Sequence, residues 1–363
     1  MAITQEAVLR ALSQVIDPDL GRDLVSLGMI RDLRIEGRRI AFRVVLTTPA
    51  CPLKEHIEQA CRRVIALLVD PEAQVDIQME ARVTTARTSE EALLPGVRNL
   101  IAVASGKGGV GKSTVAVNLA VALAKSGARV GLLDTDIYGP SIPTMFGLRG
   151  VRPQLTEARK ILPVEKFGVR LLSMGFLVDP DTPVVWRGPM VSSAVRQFLA
   201  DADWGELDYL VLDLPPGTGD IQLTLVQTVP LTGAVIVSTP QEVALADARK
   251  GVMMFRHVRV PVLGLVENMA YFVPPDLPDR RYYLFGQGGA RRLAEELEVP
   301  FLGEIPLEET IRAGGDEGVP VLIRNPEGAA ARAFRELAER VAQQVAIRNA
   351  SAPPTEKVEI LFR

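Results

Sequence analysis

Residues 105–114 read SGKGGVGKST, and the spacing of their glycines and lysines is the clearest structural signal in the chain. It fits the pattern GxxxxGK[ST], in which the backbone N–H groups of a glycine-rich loop surround phosphate oxygens. The apolar run LIAVA (100–104) precedes the loop, as a buried parallel strand would, and residues 113–126 follow with apolar residues on one helical face. A chance match in a glycine-rich turn is the alternative, and this strand–loop–helix context disfavours it. The sequence therefore predicts a nucleotide phosphate site at a helix N-terminus.

The residue types in the loop indicate separate tasks. Lys112 is expected to reach the β- and γ-phosphates, and the hydroxyl of Ser113 to hold Mg²⁺. The predicted nucleotide-binding residues of the loop are Gly106, Gly108, Gly109, Val110, Gly111, Lys112, Ser113 and Thr114.

Two further apolar runs end in carboxylates. In LLDTD (132–136), Asp136 is the better candidate for orienting the attacking water, and Asp134 is expected near the metal or the loop; both could instead be strand-end caps. In YLVLD (209–213), a buried carboxylate needs a cation partner, and Mg²⁺ bound to Ser113 would supply one. Asp213 is therefore predicted as a catalytic and metal-binding acid, with a structural strand-end acid as the alternative.

The whole sequence indicates two domains. Residues 1–82 predict a small α+β domain, 83–97 a polar linker, 98–348 an α/β domain and 349–363 a flexible tail. Alternation of short apolar strands with helices over 98–348 is typical of a doubly wound, mainly parallel sheet. Its candidate strands are 100–104, 130–133, 169–172, 209–212, 234–237 and 262–266. The elements expected in the small domain are helices at 6–15 and 52–69 and strands at 31–35, 40–46 and 74–79.

Composition excludes several classes of protein. The 363 residues are 47% hydrophobic and 23% charged, and the net charge of −3 argues against a protein that holds nucleic acid by bulk electrostatics. No apolar run is long enough to cross a bilayer, and the N-terminus lacks the features of a signal peptide. Two cysteines exclude a disulfide framework and indicate a reducing cytoplasm. We expect a cytoplasmic protein without nucleic-acid or membrane partners.

The loop contains a second lysine that an ordinary phosphate-binding loop does not need. GKGGVGKST (106–114) resembles the deviant loop of the MinD/ParA class of ATPases. In that class the early lysine, here Lys107, reaches the phosphates held by a facing subunit. The resemblance implies a homodimer with ATP at its interface, in which Lys107 is catalytic together with Lys112, Asp136 and Asp213. A solvated loop lysine is the alternative for Lys107.

Beyond the loop, the second domain resembles the Mrp-type iron–sulfur carrier ATPases. The matching stretches are GKGGVGKSTVAVNLA (106–120), LLDTDIYGPSIPTMFG (132–147), WRGPM (186–190), DYLVLDLPPGTGD (208–220), VENMAYF (266–272) and FGQGGARRLAEELEVPFLGEIPL (285–307). The resemblance implies slow ATP hydrolysis with Mg²⁺, an Asn268 that contacts the adenine and a Pro306 segment that lines the base pocket. A plain strand-end residue is the alternative for Asn268. Trp186 and Arg187 receive no role.

The first domain resembles the small PaaD-like assembly domain, through DPD (17–19), LVSLGMI (24–30) and LTTPACP (46–52). Between Phe272 and Phe285 the Mrp-type family usually carries CxxC, and two such pairs hold a bridging [4Fe–4S] cluster. Here the segment reads VPPDLPDRRYYL and contains no cysteine. Because clusters need thiolates, the usual cluster site is not carried over.

Cys51 is the thiol that remains of interest. It directly precedes Pro52, and proline is favoured at the first helical position, so Cys51 is expected near a helix N-cap, where the dipole favours thiolate. It also matches the cysteine position of the PaaD-like domain. A metal-binding or reactive Cys51 and a buried structural thiol both stay open, whereas Cys61 is expected in the core.

Three functions follow from these patterns. The leading hypothesis is a homodimeric ATPase of the Mrp type that carries or assembles iron–sulfur clusters, has a modified cluster site and acts on apo iron–sulfur acceptors. The alternative is a MinD/ParA-like positioning or scaffold switch without a cluster. A third is an assembly chaperone whose partner brings all the thiolates.

Overall fold

The computed structural model describes residues 3–87, 94–136, 139–176, 188–219, 222, 226 and 230–351. The chain forms two compact units. The first runs to Thr85 and includes the end of the last helix from Ala342, and the second is Ala86–Val341. The sequence-based division assigns that helix to the second domain as far as residue 348, whereas the structure groups its last turns with the first unit.

A three-stranded sheet backed by two helices builds the first unit. Strand β4 pairs antiparallel with β3 and parallel with β5, and β1 and β2 form a separate two-residue ribbon. The bounds are α1 (Gln5–Leu12), β1 (Ile16–Asp17), β2 (Arg22–Asp23), β3 (Ile30–Glu36), β4 (Arg39–Leu46), α2 (Lys54–Leu68) and β5 (Gln74–Ala81).

The core of this unit follows from the alternation of apolar residues in β4. Ile40, Phe42, Val44 and Leu46 are buried, whereas the residues between them are more exposed, so one sheet face packs under the helices. The predicted elements of this domain are all present, with ends that differ by a few residues. The predicted helix 6–15 ends at Leu12, because residues 13–14 form a turn and Ile16 enters the ribbon.

An eight-stranded sheet is the frame of the second unit. Its order is β10-β11-β7-β12-β6-β13-β14-β15, and only β10 runs antiparallel to its neighbour. The strands are β6 (Leu100–Ala104), β7 (Val130–Asp134), β10 (Val164–Lys166), β11 (Val169–Ser173), β12 (Tyr209–Asp213), β13 (Gly233–Ser238), β14 (Val262–Glu267) and β15 (Phe301–Glu304), with a separate hairpin of β8 (Gln154–Leu155) and β9 (Ile161–Leu162). The predicted doubly wound α/β fold is confirmed.

Helices lie between most of these strands. They are α3 (Lys112–Lys125), α4 (Ile142–Met145), α5 (Gly188–Ala200), α6 (Glu242–His257), α7 (Gly289–Glu296), α8 (Glu309–Glu317), α9 (Val321–Arg324) and α10 (Ala329–Ser351). Helix α3 is buried over most of its length, because it packs on the middle of the sheet. Of the helices in the described ranges, none is both long and apolar enough to cross a membrane.

Two sequence-based boundaries need correction. The predicted linker 83–97 ends in the core of the second unit, where Leu94 and Val97 are buried, because apolar side chains at its end pack with the sheet. The predicted tail begins inside α10, which continues through Ser351. In the first unit, Asn349 Nδ2 donates to Thr84 O at 3.0 Å, so this helix end is held by the first residues of the predicted linker. Residues 88–93 and 352–363 lie outside the described residues.

Candidate nucleotide-binding site

The glycine-rich loop connects β6 to α3 at the carboxyl edge of the sheet. Gly111 is the N-cap of α3 and has φ 81°, a left-handed conformation that favours glycine. At Gly106 a Cβ would lie 2.2 Å from the backbone of Asp247, so only glycine fits against α6. The left-handed conformation at Gly111 and the close contact at Gly106 fix the loop, and Lys112 is the first residue of α3.

Lys112 is held between two buried carboxylates. Its Nζ donates to Asp213 Oδ1 at 2.6 Å and lies 3.8 Å from Asp136 Oδ2. Ser113 Oγ is also 3.1 Å from the same Nζ. The structure thus brings together Lys112, Ser113, Asp136 and Asp213. The first and last of these are more than one hundred residues apart in the sequence.

One oxygen of each carboxylate is left without a hydrogen-bond partner. Asp136 Oδ1 and Asp213 Oδ2 are buried and accept no hydrogen bond within the part of the chain that is described. Burial raises the pKa of Asp213, and the ammonium of Lys112 opposes that rise. Oxygen ligands beside a hydroxyl are the donor set that Mg²⁺ prefers, so Ser113 and Asp213 fit a magnesium ion.

Asp134 is fully buried and forms no hydrogen bond with the glycine-rich loop within the described residues. Its Oδ2 accepts a hydrogen bond from Ser173 Oγ at 2.8 Å, and its Oδ1 accepts one from the backbone N–H of Asp136 at 3.0 Å. Burial, and then the charge of Asp213, raise the pKa of Asp134 to about 8. Asp134 therefore positions Asp136. The sequence did not predict the contact of Ser173 with Asp134. The only feature that could have indicated it is the place of Ser173 at the end of a neighbouring apolar strand.

The ends of β7 and β12 are joined beside the two acids. Thr135 donates from its backbone N–H and from Oγ1 to the carbonyl oxygen of Asp213, at 3.0 and 2.7 Å. After β12, Gly217 has φ 100° and donates its N–H to Ser105 O at 2.9 Å. The two carboxylate segments and the glycine-rich loop are thus tied to one another through the backbone.

Asn268 lies on the other side of the loop, directly after β14. It is 5% exposed, and its Nδ2 donates to Val110 O at 2.8 Å. A Cβ on Gly111 would come within 2.2 Å of the same amide nitrogen. The side chain therefore fixes the loop as well as facing the neighbouring cavity.

That cavity has a volume of about 400 Å³ and is partly open to solvent. It is lined by Gly111, Thr114, Ser141, Thr144, Met145, Asn268, Met269, Pro306, Leu307, Glu308, Ile311, Arg312, Gly315 and Asp316. Asn268 and Pro306, the two residues predicted to meet a base, both line it. A mostly apolar cleft with a few polar groups beside a phosphate loop suits a nucleoside.

Lys107 is half-buried in the loop. Its carbonyl oxygen accepts a hydrogen bond from Ser105 Oγ at 2.9 Å. Within the described residues no carboxylate pairs with the Lys107 ammonium. Its reach toward a second chain stays a prediction.

The thiols lie in the first unit. Helix α2 begins at Lys54 with Leu53 as its N-cap, because Pro52 and Leu53 form a turn, so the helix starts two residues later than predicted and Cys51 lies two residues before the N-cap. Cys51 is half-buried against the apolar core of its unit. Cys61 is fully buried there, as expected, and burial raises its pKa to about 12. Among the described residues, no group of three or more His, Cys, Asp or Glu side chains is placed to hold a metal ion. Trp186 and Arg187 lie outside the described residues.

Comparisons with known proteins agree with this architecture. Residues 96–342 match the family model of the NUBPL iron-transfer P-loop NTPases, and residues 5–78 match that of an iron-sulfur cluster assembly protein. The iron-sulfur cluster carrier protein of Synechocystis is 53% identical over 95% of this chain and 99% of its own length. The iron-sulfur cluster carrier protein of Deinococcus radiodurans is also 53% identical, over 96% of this chain and 98% of its own length.

Solved structures agree with these relatives. A nucleotide-binding protein of Archaeoglobus fulgidus in complex with ADP is 41% identical, with a TM-score of 0.58 over 68% of this chain and 97% of its own. The MinD cell division ATPase of Pyrococcus furiosus, at 24% identity and a TM-score of 0.50, shares the fold over 67% of this chain and 98% of its own. With the glycine-rich loop, the paired carboxylates and these matches together, the chain belongs to the family of NUBPL iron-transfer P-loop NTPases.

Proposed function

We propose that this protein is a homodimeric ATPase that carries or assembles iron–sulfur clusters in the cytoplasm and delivers them to apo iron–sulfur acceptors. The observation that carries the ATPase part is the position of Lys112 between two buried carboxylates with unpartnered oxygens. Support for the cluster part comes from relatives that are named iron-sulfur cluster carrier proteins and are 53% identical to this chain.

The arrangement suits binding of ATP at the loop. In the structure, Asp213 neutralises Lys112. When phosphate oxygens take Lys112, Asp213 is freed, and together with Ser113 it would hold Mg²⁺, which supplies positive charge against the phosphates. Thr135 and Gly217 keep the carboxylate segments at a fixed distance from the loop. Asp136, positioned by Asp134, would orient the attacking water.

Completion of the site by a second chain explains why we expect slow turnover. Phosphoryl transfer depends mainly on positioning and on charge stabilisation. The half-buried Lys107, which has no ion-pair partner among the described residues, is the proposed additional charge, acting on the nucleotide of the facing protomer. A monomer would bind ATP and hydrolyse it poorly.

The cluster itself needs thiolates, and this chain offers few. A [4Fe–4S] cluster takes four thiolate ligands. Cys61 is buried and its pKa is raised to about 12, which leaves Cys51 as the usable thiol of each chain. Two chains supply two Cys51 thiols, so an acceptor or assembly partner supplies the others. We therefore propose a transient cluster that is shared with a partner.

Anaerobic reconstitution with iron and sulfide tests this function. We expect wild-type protein to bind iron and sulfide, Cys51→Ser to lose most of both, and Cys61→Ala, the matched control, to retain them. Iron binding that is unchanged in Cys51→Ser would remove Cys51 from the site. Protein that hydrolyses ATP and never acquires iron, alone or with an apo acceptor, would instead favour the scaffold ATPase without a cluster.

A further inference from the structure

The β12 loop, residues 214–219, follows Asp213 and leads from the interior to the surface. Leu214 and Pro215 are buried, whereas Pro216 is exposed. Proline has no backbone N–H, so at positions 215 and 216 only the carbonyl oxygens can form backbone hydrogen bonds. The position of this loop therefore depends on a few contacts.

Contacts from both sides of the loop hold it in place. Leu214 donates its N–H to Val103 O in β6 at 3.0 Å, in addition to the hydrogen bond of Gly217 described above. From beyond the loop, Nε2 of Gln222 donates to the carbonyl oxygen of Pro215 at 2.5 Å. A side chain that follows the loop in sequence thus binds its buried start, between the two backbone hydrogen bonds.

Gln222 lies where an apolar side chain would be less costly. It is 2% exposed, and its backbone N–H donates to Gly219 O at 3.1 Å. Its Oε1 is buried and accepts no hydrogen bond from the residues that the structure describes. A buried amide oxygen without a donor destabilises a fold, whereas an apolar side chain of equal length does not. Stability alone therefore does not explain a glutamine here, and the hydrogen bond from its Nε2 is the contribution that distinguishes it.

The contact between Gln222 and Pro215 lies close to the nucleotide-binding site. Pro215 is two residues from Asp213, the acid that is paired with the lysine of the glycine-rich loop. Pro216 lies beside that loop, since a Cβ built on Gly108 would be 4.0 Å from its Cγ. The hydrogen bond from Gln222 therefore fixes a short segment that connects the buried carboxylate to the glycine-rich loop.

We propose that Gln222 is a positioning residue for ATP hydrolysis, which holds the segment from Asp213 to Pro216 against the glycine-rich loop through the carbonyl oxygen of Pro215. The inference rests on the proposed ATPase and adds a residue that sequence patterns did not indicate. Loss of this hydrogen bond frees the β12 loop without removing any group predicted to bind the nucleoside or its phosphates. Turnover should therefore suffer while ADP binding persists.

Gln222→Met in the full-length protein tests this role, because methionine keeps the length of the side chain and removes the donor. We expect kcat for ATP hydrolysis to fall about tenfold, the effect of one lost hydrogen bond. Affinity for ADP, measured by titration calorimetry, should stay close to that of wild type, and the melting temperature should be equal or higher because the unpartnered oxygen is gone. Hydrogen exchange followed by mass spectrometry should show amides of the β12 loop exchanging about tenfold faster, with the rest of the chain unchanged.

Asn118→Leu is the matched control. Asn118 is 4% exposed, its Nδ2 donates to Thr114 O at 2.9 Å, and its Oδ1 is buried without a hydrogen-bond partner among the described residues. The change removes the same kind of group from a side chain whose hydrogen bond lies within α3, so kcat and the exchange of the β12 loop should remain as in wild type. Gln222→Asn provides a second test, because an amide that is one methylene shorter should lose the contact and lower kcat by a similar factor.

Unchanged kcat in both Gln222 variants, or unchanged exchange of the β12 loop, would overturn the positioning role and leave the proposed ATPase intact. A parallel loss of kcat, ADP affinity and stability, or an equal loss of kcat in Asn118→Leu, would show a general effect of removing buried amides and would overturn it as well. Wild-type protein that does not hydrolyse ATP would remove the proposed function, and this inference with it.

Discussion

At the scale of single residues, Lys112 determines the charge balance of the nucleotide-binding site. Its side chain is 6% exposed, and its ammonium is neutralised by Asp213 at 2.6 Å. A buried charge that loses its partner is costly, so the two groups must exchange partners together when phosphate enters. Because Lys112 takes part in this exchange and Lys107 does not, we expect replacement of the two lysines to have different effects.

Replacing each lysine separates binding from turnover. Lys112→Ala should weaken ATP binding by about 100-fold, because a charge-assisted contact to phosphate is lost. Lys107→Ala should leave binding by the monomer nearly unchanged and lower kcat by about 10³, as removal of a charge supplied in trans does. Titration calorimetry and a phosphate-release assay measure the two effects. An equal loss of affinity in both variants would contradict the action of Lys107 on a facing chain.

The two thiols should differ in reactivity. At pH 8 the thiol of Cys61 is fully buried and, with its pKa raised to about 12, almost entirely protonated, whereas Cys51 is half-buried. We expect iodoacetamide to label one thiol per folded chain and two in denaturant, as counted by mass spectrometry. Cys51→Ser should remove the label of the folded state. Labelling of Cys61 in the folded wild type at a comparable rate would show that its core opens.

Sequence reasoning at this scale predicted that Lys112, Asp136 and Asp213 lie at one edge of the sheet, since each follows an apolar strand, and the structure brings them together there. Their catalytic roles stay predictions. Sequence reasoning did not identify the hydroxyl of Ser173 on Asp134, because that contact depends on the order of strands in the sheet. It also started α2 two residues too early, since a proline in a turn and a proline at a helix start look alike in one sequence.

At the scale of elements, one acid joins the starts of three central strands. Asp208, just before β12, accepts hydrogen bonds from the backbone and the guanidinium of Arg129 before β7, at 2.9 to 3.2 Å. Arg98, before β6, donates to the same carboxylate at 3.0 Å, and Asn99 donates to the Asp208 carbonyl. Burial acts against the charge, but the bonds and charge of Arg129 and the charge of Arg98 lower the pKa of Asp208 overall.

Asp208→Asn should therefore destabilise the protein by about 2 kcal/mol at pH 7, the contribution of hydrogen bonds to a buried charged group. Because the folded-state pKa is lowered, this stability is fully present above the unfolded value of 3.8 and is lost only as pH falls through the lower folded value. Urea unfolding of both proteins should show a constant difference between pH 7 and pH 5.

The exposed Asp203→Asn is the control for this change and should alter the free energy of unfolding little. A difference for Asp208→Asn that already shrinks between pH 7 and pH 5 would contradict a lowered pKa. A difference as small as that of the control would show that the junction of strand starts contributes little to stability.

Close packing of two glycines supports the base cavity. Gly318, at the end of α8, has φ 75°, and a Cβ there would lie 2.3 Å from the backbone of Gly147, which follows α4. Gly318→Ala should cost about 1–3 kcal/mol through backbone strain and the forced separation of these segments. Urea unfolding and ATP affinity should both decline. Gly219→Ala, where a Cβ has free space, is the control for folding; unchanged stability in Gly318→Ala would exclude the close contact.

The six central strands were predictable because buried parallel strands read as continuous apolar runs. Strands β10 and β15 were not, since they hold three and four residues, with polar ones among them, at the two edges of the sheet. The final helix falls within the predicted second domain as far as residue 348, but its division between two units depends on packing that its own pattern does not encode.

At the scale of the whole molecule, catalysis should depend on association. If Lys107 completes the site of a facing protomer, ATPase activity per chain should rise with protein concentration and reach a plateau when dimers predominate. A phosphate-release assay over a dilution series measures this, with the sedimentation coefficient followed in parallel. Activity per chain that is constant while dimers dissociate would show that one chain suffices.

The ion pair between Lys112 and Asp213 should also determine which anions bind at the glycine-rich loop. A lone inorganic phosphate that captured the lysine would strand a carboxylate in a dry interior, with nothing to balance it. A polyphosphate that arrives with its own divalent ion satisfies both groups at once. Asp213 is thus an internal counter-ion for Lys112, and it should favour a metal-bound polyphosphate over a free small anion.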